Sequence, residues 1–346
     1  MDSVVRVLIV DDSAFVRKCL REIFSRSPFL EVVGAARDGI EALELVEQLA
    51  PDVMTVDLNM PRMDGLAFLQ EQMSRRRVPA IIVSSTEESG ERVLQAFEWG
   101  AVDVVQKPTA LANERVFEVA DELIAKVKAA AATRIRPVRP STETNQPRRA
   151  PARAKTGAFD VIVLGISAGG PQALKQLIPK LPADLPVPLA MVVHMPLGYT
   201  EFYARSLNEI SQLEVVEAHE GDLLRPGLAL LAPAGRHLTF QRLQTDGVGV
   251  HLAFQPSDTR HRPAVDVLFH SAAKIFGKRT LGIVMTGMGS DGTRGAGWIK
   301  AEGGMIFTEA EETCVVYGMP RAVVEAGLSD RAVPLHELAD VLLEAL

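Results

Sequence analysis

Three side chains that could form a hydrolytic triad follow apolar segments in the second half of the chain. Ser167 interrupts an apolar run, residues 161–166, at a turn rich in glycine. His194 and Asp291 likewise stand directly after or close behind apolar runs. The carboxyl ends of parallel strands share one edge of a sheet, where a serine can act as nucleophile, a histidine as base and an aspartate as the group that orients it. The pattern predicts acyl-transfer chemistry.

The segment Gly165-Ile-Ser167-Ala-Gly169 admits two interpretations. It fits a small-residue elbow that exposes a nucleophilic serine, and it also fits a glycine-rich dinucleotide loop. Ser167 stands where the second glycine of that loop would lie, and its side chain would block a pyrophosphate. The strand that follows ends in His194, whereas a dinucleotide site calls for an acidic residue there. The nucleophile interpretation is therefore favoured.

Each partner of Ser167 also has a purely structural interpretation. Alone, His194 could be a satisfied core histidine, and Asp291 could be the N-cap of a helix that begins near Thr293. Both roles could hold for Asp291, because a carboxylate has two oxygens. The chain order Ser, His, Asp differs from that of α/β-hydrolases, so that family is not supported.

A second constellation of polar residues lies in the first half of the chain. These residues follow successive apolar runs: Asp11, Asp12, Asp57, Ser84 and Lys107. Three carboxylates at one sheet edge would repel one another, so we expect Asp11, Asp12 and Asp57 to bind a hard cation such as Mg²⁺. Asp57 is the best-placed nucleophile for phosphorus, and Lys107 and Ser84 can bind oxygens of the product. One such aspartate could be only a helix N-cap, but the five together predict a phosphate-accepting site.

The elements before position 133 are those of a doubly wound sheet. Short β-branched runs alternate there with helical patterns: Val4–Val10, Glu31–Ala35, Val53–Val56, Ala80–Val83 and Val102–Val105. This alternation predicts five parallel strands. Helix boundaries are indicated by Ser13, by Gly39 with Glu41, and by Gly100.

The elements after position 156 predict a second parallel α/β sheet. Six runs read as buried strands: Val161–Leu164, Leu189–Val193, Val215–Ala218, Leu228–Leu231, Leu281–Met285 and Met305–Phe307. Helical patterns lie between them near Gln172–Ile178, Thr200–Leu207, Ala264–Phe276 and Thr293–Lys300. The segment Leu238–Phe254, with Asp246-Gly247 inside it, predicts a β-hairpin.

A basic, proline-containing segment separates the two halves, so we divide the chain into domains at 1–132 and 157–346 with a linker at 133–156. The linker contains seven basic residues and one acidic residue, Glu143. Its charge of +6 leaves −13 on the remainder of a chain whose net charge is −7. Acidic domains argue against nucleic acid as a partner, although the linker alone could serve as a basic arm. The linker has no aromatic residue to stack on a base, and its proline content favours an extended spacer.

Composition excludes several other classes. The 346 residues suit two domains, and no apolar run is long enough to span or insert into a membrane. No export signal follows Met1, so we expect a cytoplasmic protein. We also expect it to be a monomer. The two cysteines, Cys19 and Cys314, cannot form a cysteine-based zinc cluster.

Residues 1–132 resemble the receiver domain of two-component response regulators. Besides the five polar residues, the resemblance rests on Met60-Pro61, Asp64-Gly65 and Lys107-Pro108. It implies a flavodoxin-like fold, Mg²⁺ as cofactor and phosphorylation of Asp57 by a partner histidine kinase. All seven histidines lie at or after His194, so the phosphoryl group must come from elsewhere. Receivers usually carry an aromatic residue where this chain has Val104, which puts an aromatic switch in doubt.

Residues 159–346 resemble the catalytic domain of chemotaxis protein-glutamate methylesterases, the CheB family. The most specific segments are His194-Met195-Pro196, His261–Asp266, Thr286–Gly292 and Cys314–Pro320. The resemblance implies a Rossmann-like esterase that needs no cofactor. Its implied activities are demethylation of glutamate methyl esters, and deamidation of glutamines, on the cytoplasmic helices of methyl-accepting chemoreceptors. It also implies that the receiver covers the esterase cleft until Asp57 is phosphorylated.

The oxyanion site departs from that family in one residue. The family usually has threonine after the nucleophile, and here Ala168 stands there. The backbone N–H of Ala168 remains available, and Met288 is a candidate for a second donor. In the basic stretch before Pro263, His261 could help to hold an acidic substrate surface.

Two other functions remain open on the sequence. A non-catalytic two-component signalling adaptor is one, and the loss of the hydroxyl at Ala168 favours it slightly. A DNA-binding response regulator is the other, but a long acidic α/β pattern follows the linker where a basic helix-turn-helix would be needed. The expected function is therefore a phosphorylation-activated serine esterase.

Overall fold

The computed structural model describes residues 4–84, 90–107, 115–132, 157–244 and 247–346. These form two α/β domains, each built on a parallel sheet. The predicted linker, Pro108 and Asp246 lie outside the described residues. No helix in the described part of the chain is both long enough and apolar enough to cross a bilayer.

The N-terminal sheet contains five parallel strands, as predicted. Its strands are β1 (Val5–Val10), β2 (Leu30–Ala36), β3 (Val53–Val56), β4 (Ala80–Ser84) and β5 (Ala101–Gln106). Their spatial order is β2-β1-β3-β4-β5, which is the flavodoxin-like order. Val10 lies opposite Val56 in the register of β1 and β3, so the residues that follow them share one edge of the sheet.

Five helices cover that sheet among the described residues. They are α1 (Ala14–Phe24), α2 (Gly39–Leu49), α3 (Gly65–Arg75), α4 (Gly90–Glu98) and α5 (Arg115–Ala132). Ser13 caps α1 by accepting a hydrogen bond from the N–H of Val16, as predicted. The cap of α2 is Asp38, one residue before the predicted boundary. Gly100 follows α4 with φ +91°, a conformation that favours glycine.

The C-terminal domain is built on a parallel sheet of seven strands. These are β6 (Val161–Ile166), β7 (Leu189–Val193), β8 (Glu214–Glu217), β9 (Leu228–Leu231), β12 (Thr280–Val284), β13 (Met305–Glu309) and β14 (Arg331–Val333). Their spatial order is β14-β13-β12-β6-β7-β9-β8. The order reverses beside β6, which places a crevice at the carboxyl ends of β12, β6 and β7. The edge strand β14 was not predicted, since it has three residues and two of them are exposed.

Helices and one hairpin complete the C-terminal domain. The helices are α6 (Gly170–Leu177), α7 (Thr200–Ile210), α8 (Val265–Phe276), α9 (Thr293–Ala301), α10 (Met319–Glu325) and α11 (Leu335–Ala345). The predicted hairpin is formed by the antiparallel strands β10 (His237–Arg242) and β11 (Val248–Ala253).

The two domains are in contact through α4 and β5 of the first and α6 and α7 of the second. The N–H of Gly169, at the turn before α6, donates to the carbonyl of Val102 in β5 (3.0 Å). Lys175 Nζ in α6 lies 2.6 Å from the Glu98 carboxylate. The first residue of α4, Gly90, packs so closely on Phe202 that a Cβ there would lie 2.4 Å from the ring. The nucleophile turn predicted from sequence is thus bonded directly to the N-terminal domain.

Candidate active site

Ser167 lies in a tight turn between β6 and α6. Its N–H donates to the carbonyl of Thr286 (2.9 Å), which ties the turn to the segment after β12. Gly169 has φ +77°, and a Cβ at that position would lie 2.5 Å from the side chain of Val315. The turn therefore requires glycine on both conformational and steric grounds. Ser167 itself is largely buried.

His194 stands beside Ser167 because of strand register. β6 and β7 pair Ile166 with Val193, and the N–H of His194 donates to the carbonyl of Ile166 (3.2 Å). Ser167 and His194 thus directly follow the last paired residues of two neighbouring strands, which lie about 4.8 Å apart. No hydrogen bond joins their side chains among the described residues, and His194 Nδ1 is buried without a hydrogen-bond partner there. Nδ1 is therefore the ring nitrogen that is available to the serine.

Asp291 binds the other ring nitrogen of His194. Its Oδ2 lies 2.9 Å from His194 Nε2 and accepts from the N–H of Val265 (2.8 Å), and its Oδ1 accepts from the N–H of Asp266 (2.9 Å). Burial opposes ionisation, but the hydrogen bonds from His194 and the backbone lower the pKa of Asp291. The carboxylate is therefore held ionised next to the imidazole.

The structure corrects the N-cap interpretation of Asp291. The side chain does not cap α9, which begins two residues later; its backbone donors are at the start of α8. The N-terminus of α9 is bound instead by Asp266, whose Oδ1 accepts from the N–H groups of Gly292 (2.9 Å) and Gly295 (2.7 Å). Asp266 was not identified as a functional residue from sequence, because the helix that it caps is remote along the chain.

Ala168 and Met288, the candidate oxyanion donors, lie on the two loops that meet at Ser167. Neither backbone N–H makes a hydrogen bond among the described residues. The carbonyl of Ala168 is held by Thr286 Oγ1 (2.9 Å), which fixes the peptide plane. Two backbone donors near a serine are what an oxyanion site needs.

His261 belongs to the same site. Its ring stacks on that of His194, with centroids 4.0 Å apart and planes at 20°. Burial, with the neighbouring His194, lowers the pKa of His261 to about 3, so its imidazole is neutral at ordinary pH. His261 therefore contacts the ring of His194 itself, whereas the sequence suggested only that it could help to hold a substrate surface.

The predicted phosphoacceptor residues converge at the carboxyl edge of the N-terminal sheet. Carboxylate oxygens of Asp11, Asp12 and Asp57 lie within 4.8 Å of one another. Lys107 Nζ lies 2.7 Å from Asp57 Oδ2 and 3.2 Å from Asp11 Oδ2. Burial raises the pKa of Asp11 to about 6 and also raises that of Asp57. A cluster of hard oxygen ligands in which burial opposes ionisation of Asp11 and Asp57 fits a site for Mg²⁺, which would stabilise the charged carboxylates.

Ser84 ends β4 at the same edge, where it contacts Lys107 and Tyr199. Its carbonyl accepts from the N–H of Lys107 (2.7 Å). Its hydroxyl lies 2.7 Å from the hydroxyl of Tyr199, which belongs to the C-terminal domain. Val104 is buried in β5 and cannot serve as an aromatic switch. Tyr199 is a residue that sequence reasoning missed, since the contact exists only between the folded domains.

The N-terminal domain covers the cleft above Ser167. One pocket is lined both by the residues around the triad and by side chains of β5 and α5, among them Asp103, Glu122 and Lys126. Lys126 is buried there and binds Asp103 and Glu122, each at 2.9 Å. Side chains of the N-terminal domain thus share the pocket with Ser167 and His194.

Comparisons with known proteins identify the families of the two domains. A model of the CheB methylesterase family matches residues 162–342, and a model of the response regulator receiver domain matches residues 7–116. A protein-glutamate methylesterase/protein-glutamine glutaminase of Myxococcus xanthus is 48% identical over 341 residues, covering 98% of this chain and 97% of that protein. A relative with the same description from Halalkalibacterium halodurans is 43% identical and covers 99% of each chain.

A solved structure supports the assignment of the second domain. The crystal structure of the Thermotoga maritima CheB methylesterase catalytic domain is 39% identical, with a TM-score of 0.53, and covers 54% of this chain and 99% of that one. The chain belongs to the CheB methylesterase family and carries a response regulator receiver domain ahead of the methylesterase domain.

Proposed function

We propose that the protein is a phosphorylation-activated serine esterase that hydrolyses glutamate methyl esters on the cytoplasmic helices of chemoreceptors. The same acyl chemistry would deamidate glutamine side chains there. Family membership supports both activities, since the relatives are described as methylesterases and glutaminases. The triad side chains are those that acyl transfer requires.

In the proposed mechanism Ser167 Oγ attacks the ester carbonyl while His194 Nδ1 takes the proton. Asp291 holds the opposite nitrogen and stabilises the imidazolium. The N–H groups of Ala168 and Met288 bind the oxyanion. Collapse of the tetrahedral intermediate releases methanol, which receives the proton from His194. Water, deprotonated by the same histidine, then hydrolyses the glutamyl ester and regenerates Ser167.

We propose that the receiver domain controls access to this site. A chemotaxis histidine kinase would supply the phosphoryl group to Asp57, with Lys107 and the carboxylates of Asp11 and Asp12 placed to support that transfer. Mg²⁺ bound by those carboxylates would neutralise charge at the phosphoryl oxygens. Phosphorylation would weaken the docking of β5 and α5 over Ser167, and a shift of about 1.4 kcal/mol changes such an equilibrium tenfold.

The observation that carries this proposal is the hydrogen-bonded pair His194–Asp291 beside Ser167 on adjoining strand ends. Methanol release from methylated receptor should be lost in Ser167→Ala and kept in Ser257→Ala, an exposed serine outside the pocket. Equal release by wild type and Ser167→Ala would refute Ser167 as nucleophile. If the wild type releases no methanol with or without a phosphodonor, a non-catalytic signalling adaptor becomes the better description.

A further inference from the structure

We propose that Tyr199 is a positioning residue that links the phosphoacceptor site of the receiver to the loop that carries His194. The link is the hydrogen bond between the Tyr199 and Ser84 hydroxyls. This inference rests on the proposed function and adds the route by which Asp57 acts on the esterase.

The contact is direct and shielded from water. The two hydroxyl oxygens are 2.7 Å apart, and the residues are 1% and 5% exposed for Ser84 and Tyr199. A hydrogen bond between two buried hydroxyl groups stabilises the arrangement in which it forms. The bond therefore favours the docked arrangement of the domains.

On the receiver side, Lys107 contacts both Ser84 and the phosphoacceptor Asp57. The N–H of Lys107 donates to the Ser84 carbonyl, and its Nζ lies 2.7 Å from Asp57. A phosphoryl group on Asp57 introduces three strong acceptor oxygens at this edge of the sheet. The Ser84 hydroxyl has a single hydrogen, so donating it to a phosphoryl oxygen draws the side chain away from its position against Tyr199.

On the esterase side, Tyr199 is five residues after His194. The intervening residues form the short connection from β7 to α7, and Met195 and Leu197 line the pocket above Ser167. A displacement of Tyr199 would therefore also displace the short segment that positions His194. Val104 in β5 has neither a hydroxyl nor an aromatic ring with which to relay the change.

The test is the ratio of esterase rates with and without acetyl phosphate and Mg²⁺, using full-length protein and methylated receptor. Tyr199→Phe removes only the hydroxyl. We expect the unphosphorylated rate to rise about three- to tenfold, the fold-change that corresponds to one buried hydrogen bond, while the phosphorylated rate stays close to that of wild type. An activation ratio equal to that of wild type would overturn the proposal.

Tyr203→Phe is the matched control. Tyr203 lies four residues further along in α7, is fully buried and donates its hydroxyl to the carbonyl of Pro171, within the esterase domain. Its loss should leave the activation ratio unchanged. A change as large as that of Tyr199→Phe would mean that any loss of packing in α7 loosens the domains, and would also overturn the proposal.

Amide hydrogen exchange separates this inference from the proposed function. The segment 195–199 should exchange faster on addition of acetyl phosphate in wild type, and should already exchange fast in unphosphorylated Tyr199→Phe. This readout does not require esterase activity, so it holds even if no methanol is released. If wild type and Tyr199→Phe exchange at the same rate, each with and without acetyl phosphate, the link between Ser84 and Tyr199 is refuted, whatever the enzyme hydrolyses.

Discussion

The side chain of Asp291 binds the N-terminus of α8, and the side chain of Asp266 binds the N-terminus of α9. Asp291, two residues before α9, accepts the N–H groups of Val265 and Asp266 in α8. Asp266 accepts the N–H groups of Gly292 and Gly295 at the start of α9. These reciprocal hydrogen bonds hold the two helix N-termini together, and Oδ2 of Asp291 still faces His194.

Asp266→Ala should therefore impair catalysis without touching the substrate. Removing this acceptor frees two backbone donors, which costs about 1–2 kcal/mol of folding stability, and it loosens the peptide that carries Asp291. We expect kcat for methanol release to fall about tenfold or more with KM little changed, since only the orientation of the base is affected. Asp266→Asn keeps an acceptor oxygen in place and should recover most of kcat. Full activity in Asp266→Ala would show that the backbone N–H groups of residues 265 and 266 hold Asp291 in place without the Asp266 side chain.

His261 should contribute through its flat neutral ring. Stacked rings are worth about 0.5–1.5 kcal/mol beyond their burial, so His261→Ala should lower kcat about three- to tenfold by freeing the His194 ring. His261→Phe should restore kcat, since phenylalanine keeps the stack and cannot titrate. The exposed His270, which contacts Trp298 outside the pocket, gives a control in His270→Ala. If His261→Phe were as slow as His261→Ala, an imidazole nitrogen rather than stacking would be required.

The sequence was sufficient to predict those site residues that directly follow a parallel strand. Ser167, His194 and the carboxylates of the receiver each follow a buried parallel strand, and register alone brings such residues to one edge. Periodicity and glycine positions were therefore sufficient to predict the central strands of both sheets, whereas the edge strand β14 was missed.

Contacts that depend on helix packing or on domain docking could not be predicted in this way. The reciprocal binding of Asp266 and Asp291 depends on how α8 and α9 pack against each other. From sequence, the only helix that Asp291 could be assigned to cap was α9, the helix that follows it. The contact of Tyr199 with Ser84 spans 115 residues and exists only in the docked state. Nothing in local composition distinguishes such a tyrosine from a core tyrosine such as Tyr203.

Glu309, the last residue of β13, is a buried carboxyl group that the mechanism does not use. Its Oε2 accepts from the N–H of Thr286 (2.9 Å), the residue whose carbonyl holds Ser167. Burial raises the pKa of Glu309 from 4.5 to about 7, against the effect of the Thr286 hydrogen bond. The folded protein thus binds this proton more tightly than the unfolded chain does.

Stability should therefore fall as the pH rises through the range between those two pKa values. The contribution is complete below about pH 4.5 and is lost by about pH 7, and raising the pH from 5 to 8 should cost on the order of 2 kcal/mol from this group. Glu309→Gln keeps an acceptor for Thr286 and cannot ionise, so its melting temperature relative to wild type should be higher at pH 8 than at pH 5. Calorimetry of the full-length protein at both pH values measures the difference. If the difference in melting temperature between the two proteins is the same at both pH values, Glu309 is ionised or solvated in the folded state. A carboxyl group that stays neutral to about pH 7 in the folded protein must make stability depend on pH.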